Sequence, residues 1–332
     1  MGQGARRPGE FELIDRYFRP LATSPGAFGL GDDAALFRAA AGDDVLLKTD
    51  LVAAGVHFFP DDPPGSIAKK ALRVNLSDIA SKGGVPVGYL LSLALPADWT
   101  EAWVKAFAAG LKADQKTYGV TLFGGDTSRA AGGLTVSVAA IGRIPRGGMV
   151  HRSGAAPGDL LYVSGTIGDA ALALAVRLGR INARAAGRGA ISLLDRYLHP
   201  QPRMGLAAAI RRYASAAMDV SDGLVGDFGH ICRQSKVSGV IEAAAVPLSP
   251  AARRLVRADP GLMTTVLTGG DDYEILAAIP PKNAAGFERA ARAAGVPVTR
   301  IGQVRAGKGR PAVVDATGSP VPLEHVSYDH FG

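Results

Sequence analysis

The sequence predicts an α/β protein with two domains. Short apolar runs typical of strands alternate with longer stretches whose apolar residues recur at helical spacing. The chain has 332 residues, of which 47% are hydrophobic and 20% charged, a composition and length suited to one large or two ordinary globular domains. A stretch rich in Gly and Pro at residues 143–157 follows a strand-like run. It predicts a boundary between domains 1–148 and 149–332.

The elements follow in chain order from apolar spacing and from residues that start or stop helices. The predicted strands are Val45–Thr49, Tyr89–Leu95, Leu134–Ile141, Leu160–Val163, Ala216–Val220 and Ile275–Ile279. The predicted helices are Ser66–Lys82, Asp98–Lys116, Asp169–Leu178, Gln201–Tyr213, Ser221–Gln234 and Asn283–Ala294. Asp98 is expected to cap its helix, with Glu101 completing a capping box. Gly83 and Gly84 end the helix that starts at Ser66.

Charge and cysteine content limit the classes of function. The formal net charge is +7, but the Lys and Arg residues are scattered and form no basic run interleaved with aromatic residues. This pattern favours a solvated surface over a nucleic-acid interface, so we expect no nucleic-acid partner. A nucleic-acid-binding protein remains the alternative from a different class. The single cysteine, Cys232, excludes an intrachain disulfide and makes a cysteine-based zinc site unfavourable.

No segment of the sequence is typical of a membrane span. The smoothest apolar stretch, residues 83–97, is interrupted by Gly84, Pro86 and Gly88 and is too short to cross a bilayer. The basic residues near the N-terminus are not followed by the apolar segment of a signal peptide. We therefore expect a cytoplasmic protein without a membrane partner.

Aspartates next to Gly, Ser or Thr recur at the ends of strand-like runs. They lie in the segments Gly31–Asp33, Thr49–Asp50, Asn75–Asp78, Gly124–Thr127, Asp219–Gly223 and Gly269–Asp272. Any one of these aspartates is explained by a turn or a helix cap. Six such segments together favour one cleft in which cations offset the repulsion between carboxylates. Hard oxygen ligands select Mg²⁺ or Ca²⁺, and Mg²⁺ usually accompanies phosphates, so the pattern predicts a metal and phosphate site.

Two segments are predicted to bind phosphate through backbone N–H groups. Asp219–Leu224 passes from a strand end to a helix start, where free N–H groups and the helix dipole attract anions. Gly165–Asp169 has the same order of strand, glycine turn and helix. Motifs for a Walker A loop, a Rossmann dinucleotide site and a serine nucleophile elbow do not occur in the sequence.

Taken together and in order, the motifs resemble those of the thiamine-monophosphate kinase family. They are Gly9–Ile14, Gly31–Leu36, Thr49–Val52, Gly55–Phe58, Asn75–Ala80, Gly124–Thr127, Arg152–Gly154, Pro157–Asp159, Asp219–Leu224, Gly269–Glu274 and Tyr328–Phe331. The resemblance covers nearly the whole chain. It implies the two-domain α/β (α+β) fold of the aminoimidazole-ribonucleotide synthetase superfamily, in which N-terminal strands form a barrel shared by a homodimer. It also implies ATP-dependent phosphorylation of thiamine monophosphate to thiamine diphosphate.

The resemblance assigns site residues motif by motif. Those expected to hold Mg²⁺ are Asp33, Thr49, Asp50, Asp78, Asp126, Asp219 and Asp222. Those expected to contact ATP are Tyr118, Gly125, Asp126, Arg152 and Ser221. Those expected to contact the thiamine substrate are His57, Glu274 and Tyr328. Lys48 departs from the pattern, because relatives often carry a small hydroxyl residue before the Thr-Asp pair.

The chemistry of the implied reaction agrees with the residues present. The second pKa of a phosphate monoester is about 6, so the acceptor is already largely an oxyanion near neutral pH and needs no general base. We therefore expect direct in-line transfer assisted by Mg²⁺. Other enzymes of the superfamily, such as selenophosphate synthetase or a purine-pathway synthetase, are alternatives. The former usually needs a reactive Cys or selenocysteine in an N-terminal glycine-rich segment, whereas Cys232 lies far from the N-terminus.

Overall fold

The computed structural model describes residues 8–323, 325 and 327. The chain forms two compact units. Of the described residues, unit 1 contains those up to Leu76 together with Val85–Arg146, and unit 2 contains Ser77–Gly84 together with those from Gly147 onward. Each unit is built around one sheet. Among the described residues, no helix combines the length and the apolar character needed to cross a membrane.

Unit 1 has a four-stranded sheet with helices before and between its strands. The strands are β1 (Asp43–Ala53), β2 (Val85–Leu95), β3 (Thr121–Arg129) and β4 (Thr135–Pro145). The helices are α1 (Glu10–Leu13), α2 (Pro64–Ser81), which continues into unit 2, and α3 (Glu101–Tyr118). The strand order is β1-β4-β2-β3, with β2 and β3 parallel and the other neighbours antiparallel.

The start of α3 differs from the prediction by two residues. Thr100, and not Asp98, is the N-cap, since its hydroxyl accepts the Trp103 N–H at 3.2 Å. Either side chain can satisfy a free N–H group of the first turn, and the backbone turn before the helix selects Thr100. Gly119 ends α3 in the left-handed region at a φ of 67°. The predicted apolar stripe of α3 is buried, as shown by Val104, Phe107 and Leu111.

One face of the unit 1 sheet is covered and the other is open. Along β4, alternate residues such as Val136, Val138 and Ala140 are buried, as expected for a strand with one face in the core. The side chains that point the other way include large apolar ones, and Leu47 is 78% exposed. The open apolar face is formed by Val45, Leu47, Leu51, Val85 and Leu90.

Unit 2 has a six-stranded sheet in the order β10-β7-β9-β5-β8-β6. Its strands are β5 (Leu160–Ser164), β6 (Ala216–Asp219), β7 (Ser238–Glu242), β8 (Ile275–Ile279), β9 (Val298–Arg305) and β10 (Ala312–Val314). Its helices are α4 (Asp169–Arg177), α5 (Ala183–Ala186), α6 (Gly189–Leu198), α7 (Ala207–Tyr213), α8 (Leu224–Ser235), α9 (Pro250–Ala258), α10 (Leu262–Thr268) and α11 (Ala284–Ala293). Every residue of β6 and β8 is buried.

The last turn of α2 packs within unit 2, although residues 77–84 precede the predicted domain boundary. Lys82 donates from Nζ to the carbonyl of Ala217 at 2.6 Å, and the Lys82 carbonyl accepts the Val150 N–H at 3.1 Å. These bonds tie the end of α2 to β6 and to the start of the C-terminal part of the chain. The two units are therefore not continuous in sequence.

Candidate metal and phosphate site

The turn between β6 and α8, residues 219–223, carries three of the predicted site residues. Residues 271–274, which lead into β8, pair with this turn through backbone hydrogen bonds. The Val220 N–H donates to the Glu274 carbonyl at 2.8 Å, and the Tyr273 N–H donates to the Val220 carbonyl at 2.7 Å. The Asp271 N–H donates to the Ser221 carbonyl at 2.8 Å. This pairing brings the predicted segments Asp219–Gly223 and Gly269–Glu274 together.

Backbone geometry fixes both segments. Gly223 has a φ of 124°, and a Cβ at this position would lie 2.5 Å from the Thr268 carbonyl oxygen. Only glycine fits there without strain. Asp271 and Tyr273 occupy the left-handed region at φ values of 72° and 51°, which is costly for residues with a Cβ. Such conformations cluster at functional sites, because the surrounding structure holds them in place.

Asp227, a residue of α8 outside the predicted set, holds the turn from the other side. Its Oδ2 accepts the N–H groups of Ser221, Asp222 and Gly223 at 3.0, 3.1 and 3.2 Å. The prediction that the Ser221 and Asp222 N–H groups bind phosphate is therefore wrong, because a carboxylate of the chain already accepts them. The side chains of Ser221 and Asp222 are left to contact ligands.

The carboxylates around this turn suit a divalent cation. The other oxygen of Asp227, Oδ1, is buried and has no hydrogen-bond partner among the described residues. Burial, and next the charges of Asp222 and Asp219, raise the pKa of the Asp227 carboxyl well above its usual value. Three acidic side chains close enough to affect one another need a nearby cation when all are ionised. Their oxygen donors fit Mg²⁺ by ligand type.

His230 lies beside these carboxylates but does not complete a metal site. Ligand atoms of Asp222, Asp227 and His230 lie within 4.8 Å of one another. However, the Arg233 guanidinium lies 3.1 Å from Nδ1 of His230 and can only donate, so the imidazole proton is on Nε2. A ligating His instead needs an acceptor at its other nitrogen. Burial, then Arg233 and Arg152, lower the pKa of His230. The carbonyl of the predicted ATP residue Arg152 accepts the Ser235 hydroxyl at 3.2 Å, at the C-terminal end of α8.

Asp78 lies on the part of α2 that packs within unit 2. Ser77, its neighbour, donates from its hydroxyl to the Tyr273 carbonyl at 3.4 Å. Lys82, one turn later, bonds to Ala217 of β6. Asp78 itself is partly exposed between these two anchors. Unit 2 thus gathers Asp78 with the segments that carry Asp219 and Asp222.

In the second predicted phosphate turn, Gly165–Asp169, three of the five N–H groups have an acceptor within the protein. The Gly168 N–H lies 2.9 Å from both carboxylate oxygens of Asp272. The Gly165 and Ile167 N–H groups donate to backbone carbonyls. These three N–H groups are not available to an anion, because the fold supplies acceptors that the local pattern does not reveal. For the N–H groups of Thr166 and Asp169 the anion site stays a prediction.

Glu274 lies in a buried network of charges. Its carboxylate accepts hydrogen bonds from the Ser164 hydroxyl at 2.6 Å and from the Arg196 guanidinium at 2.8 Å. It also accepts from Nε and Nη2 of Arg203. Glu274 has no exposed surface, and the two arginine side chains are only 12% and 17% exposed. A contact between Glu274 and the thiamine substrate would require the arginines to move, and it stays a prediction.

In unit 1, Asp50 is already paired with a cation of the chain. Lys48 Nζ lies 3.0 Å from Asp50 Oδ1, and both side chains are about one-third exposed. Lys48 and Asp50 are two residues apart on β1, so they point to the same face of the sheet. Thr49 points to the other face, which is the open apolar one. A cation that binds Asp50 must compete with Lys48.

The sheet register separates Asp50 from Asp126 within unit 1. Across the sheet, Asp50 of β1 is level with Val138 of β4, Leu91 of β2 and Gly125 of β3, so these four residues share one row. Asp126 is one residue further along β3 and therefore points to the opposite face. Three strand spacings of about 4.8 Å each separate the two strands. The expected convergence of all the aspartates in one cleft fails for this pair within a single chain.

His57 follows β1 in a turn that fixes its ring. Its Nδ1 accepts the Ala53 N–H at 3.2 Å, and its carbonyl accepts a bond from the buried Lys70 at 2.8 Å. Because Nδ1 accepts, the proton of a neutral ring lies on Nε2. His57 is thus a hydrogen-bond donor, partly exposed at the end of β1.

The remaining predicted residues are not gathered around one point. Asp33 lies on an exposed loop before β1. Tyr118 ends α3 just before β3, with its ring centroid 5.6 Å from the Arg73 guanidinium, whereas Asp126 lies well along β3. The strand between them spans about 16 Å. Tyr328 lies outside the described residues.

Comparison with known proteins finds two matching domain models and close relatives. The model of the AIR synthase related protein N-terminal domain matches residues 31–144, and that of the C-terminal domain matches residues 156–315. Thiamine-monophosphate kinase of Escherichia coli (strain K12) is 40% identical over 326 residues, which are 97% of this chain and 98% of the relative.

Solved structures of the same kind of protein have the same fold. The crystal structure of thiamine-monophosphate kinase from Stenotrophomonas maltophilia K279a is 38% identical, has a TM-score of 0.83, and the match covers 94% of this chain and 98% of that one. AaThiL complexed with AMPPCP and TMP is 32% identical, has a TM-score of 0.76, and the match covers 97% of each chain.

Proposed function

The chain belongs to the thiamine-monophosphate kinase family, and we infer that it transfers the terminal phosphoryl group of ATP to thiamine monophosphate. One observation of the molecule supports this inference most directly. Carboxylates of Asp219, Asp222 and Asp227 are close enough for their charges to affect one another, on a turn whose backbone is locked. Such a cluster suits Mg²⁺ bound with phosphates.

The acceptor explains why no general base is assigned. A phosphate monoester has a second pKa of about 6, so at neutral pH it presents an oxyanion ready to attack. The barrier is the approach of two polyanions, since two like charges 4 Å apart repel by about 4 kcal/mol at an effective dielectric of 20. We propose direct transfer from ATP to this oxyanion, without a phosphorylated protein intermediate.

We propose that the chain's carboxylates hold the metal that offsets this repulsion. The proposed Mg²⁺ residues are Asp78, Asp219 and Asp222 in unit 2, and Asp33, Thr49, Asp50 and Asp126 in unit 1. When bound, Mg²⁺ would neutralise charge that develops on the transferred phosphoryl group. Ser221, Arg152, Gly125 and Tyr118 are the proposed ATP contacts, and His57, as a donor, is a proposed substrate contact with Glu274 and Tyr328.

The metal assignment is tested by removing one charge at a time. Asp222→Asn and Asp50→Asn keep the size of the side chain but remove a ligand charge, so turnover with ATP and thiamine monophosphate should be lost while the thermal midpoint stays close to wild type. Asp259→Asn is the matched control, since Asp259 is exposed and caps a turn through the Gly261 N–H. Retained turnover in both site variants would contradict the metal assignment.

We further propose a homodimer formed through the unit 1 sheet. Its open face carries large apolar side chains, including Leu47 and Leu51. Among the described residues, β1 and β3 each pair with a strand on one side only, and long edge strands of this kind invite pairing with another chain. Two such sheets joined edge to edge would bury the apolar face inside a barrel.

The dimer would also reunite residues that one chain keeps apart. Asp50 lies on the edge strand β1 and Asp126 on the opposite edge strand β3. Pairing β1 of one copy with β3 of the other would join these strands, with Thr49 and Asp126 on one face of the joined sheet and Asp50 on the other. Thr49 and Asp126 could then serve one metal site that a single chain does not form.

A charge on the open face tests the dimer. Leu47→Asp should yield a monomer by light scattering coupled to size exclusion and should lower turnover, because Thr49 of one copy and Asp126 of the other would separate. Ile191→Asp is the matched control, since Ile191 is 76% exposed in unit 2, and it should leave the mass unchanged. A dimer that persists in the Leu47 variant would refute this interface.

The substrate is tested with a coupled assay of ATP consumption. Thiamine monophosphate should be phosphorylated, whereas free thiamine, which lacks the oxyanion, should not. Phosphorylation of thiamine but not of its monophosphate would overturn the proposed function.

The alternative of a nucleic-acid-binding protein predicts steeply salt-dependent binding of DNA or RNA that Asp→Ala changes leave intact. A cytoplasmic location remains a prediction.

A further inference from the structure

We propose that Asp227 is a positioning residue that sets the Ser221-Asp222 turn for metal and nucleotide binding, an inference that rests on the proposed kinase function. Asp227 lies in the first turn of α8, five residues after Asp222. Its charge is one of those that the metal would offset, but it is not among the proposed Mg²⁺ residues. It acts on the site through the backbone of the turn.

Hydrogen bonding gives Asp227 control of the turn. One oxygen, Oδ2, accepts three consecutive N–H groups, from Ser221, Asp222 and Gly223. On the other side, the Ser221 carbonyl is held by the Asp271 N–H. The peptide units around Asp222 are thus fixed from two sides, which sets the direction in which the Asp222 carboxylate leaves the backbone.

Two features distinguish Asp227 from an ordinary helix cap. A cap needs one acceptor oxygen, and Ser or Thr supplies it without a second buried oxygen. Asp227 instead keeps Oδ1 buried and without a partner among the described residues, within a cluster that includes Asp222 and His230. It also fills N–H groups that would otherwise attract a phosphate. Phosphate is thereby directed to the metal and to the Ser221 hydroxyl.

Two substitutions separate position from charge. Asp227→Asn keeps an oxygen at the position of Oδ2 but removes the charge, whereas Asp227→Glu keeps the charge and moves the oxygens by one methylene. Binding of Mn²⁺ in the presence of AMPPCP is measured by electron paramagnetic resonance, together with the thermal midpoint and the Mg²⁺ half-saturation of turnover. Asp315→Glu is the matched control, because Asp315 accepts the Thr317 and Ser319 N–H groups in an exposed turn.

The positioning role predicts opposite results for the two variants. Asp227→Glu should weaken Mn²⁺ binding and raise the Mg²⁺ half-saturation by about 10- to 100-fold, the usual effect of losing a residue that orients a metal ligand. Asp227→Asn should retain most of the affinity, and Asp315→Glu should match wild type. Wild-type Mn²⁺ affinity in folded Asp227→Glu, or a loss in Asp227→Asn as large as in Asp227→Glu, would overturn the proposal.

Two further measurements keep the outcome clear. If Asp227→Glu does not fold, Asp227→Ala replaces it, and added formate should restore Mn²⁺ affinity by refilling the carboxylate position. Full Mn²⁺ affinity of Asp227→Ala without formate would overturn the proposal.

Turnover of thiamine monophosphate by the wild-type protein is measured on the same preparation. Its absence would refute the kinase function, whereas normal wild-type turnover with unaffected Asp227 variants would refute only the positioning role.

Discussion

Removing the charge of Glu274 should destabilise unit 2 strongly. Glu274 is the acceptor for Ser164, Arg196 and Arg203, and it has no exposed surface. Glu274→Gln keeps the shape of the side chain but leaves two largely buried guanidinium groups facing a neutral amide. Breaking a buried ion pair by removing one partner costs about 3–5 kcal/mol, because the remaining charge is left uncompensated.

This cost predicts a large shift in thermal stability. About 2–4 °C is lost per kcal/mol in domains of this size, so the midpoint should fall by about 6–20 °C. Differential scanning calorimetry of wild type and variant measures the shift. Glu242→Gln is the control, since Glu242 is exposed at the end of β7 and its change should alter the free energy of unfolding by no more than about 0.5 kcal/mol.

The result also decides between two roles for Glu274. If Glu274 mainly organises Arg196 and Arg203, the midpoint falls as calculated. If it is mainly a substrate contact, the KM for thiamine monophosphate rises while the midpoint stays near wild type. A fall of less than about 2 °C would refute the reasoning from the buried network.

Two other predictions concern charges near the site. Lys48→Ser should lower the Mg²⁺ concentration for half-maximal turnover by about 1.4- to 5-fold. The reason is that the metal must displace the partly exposed ion pair between Lys48 and Asp50, which is worth about 0.2–1 kcal/mol. An unchanged or higher Mg²⁺ requirement in initial-rate measurements would contradict this prediction. Burial raises the pKa of the Asp272 carboxyl well above its usual 3.8. The folded state therefore binds this proton more tightly than the unfolded state does. As a result, the free energy of unfolding falls as the pH rises from about 4 toward the raised pKa. Asp272→Asn should flatten that slope in denaturant unfolding measured across this range, and an equally steep slope in the variant would rule out Asp272 as its source.

Much of the fold was predictable where burial leaves a continuous apolar pattern. β6 and β8 are buried along their whole length, and their sequences read as strands because every side chain faces the core. β3 was missed, since its run of Gly124, Gly125 and Asp126 is typical of a turn and only pairing with β2 makes it a strand. α6 was missed for a similar reason, because Gly at its start and a preceding Gly-rich loop indicate irregular structure.

The site was predictable in its residue types but less so in its arrangement. The Asp219–Gly223 turn follows from a strand end and a helix start. Asp227 was missed because its partners are backbone N–H groups, and an Asp inside a helix is usually taken for a solvated residue. The separation of Asp50 from Asp126 depends on strand order, which no local pattern specifies.

The fate of the terminal phosphate of ATP tests the proposed reaction most directly. The protein is incubated with ATP labelled at the γ-phosphate, Mg²⁺ and thiamine monophosphate, and the products are separated by chromatography. Direct transfer predicts label in the β-phosphate of thiamine diphosphate and none on the protein, with or without acceptor. Labelled protein that forms with ATP alone and passes its label to the acceptor would contradict it.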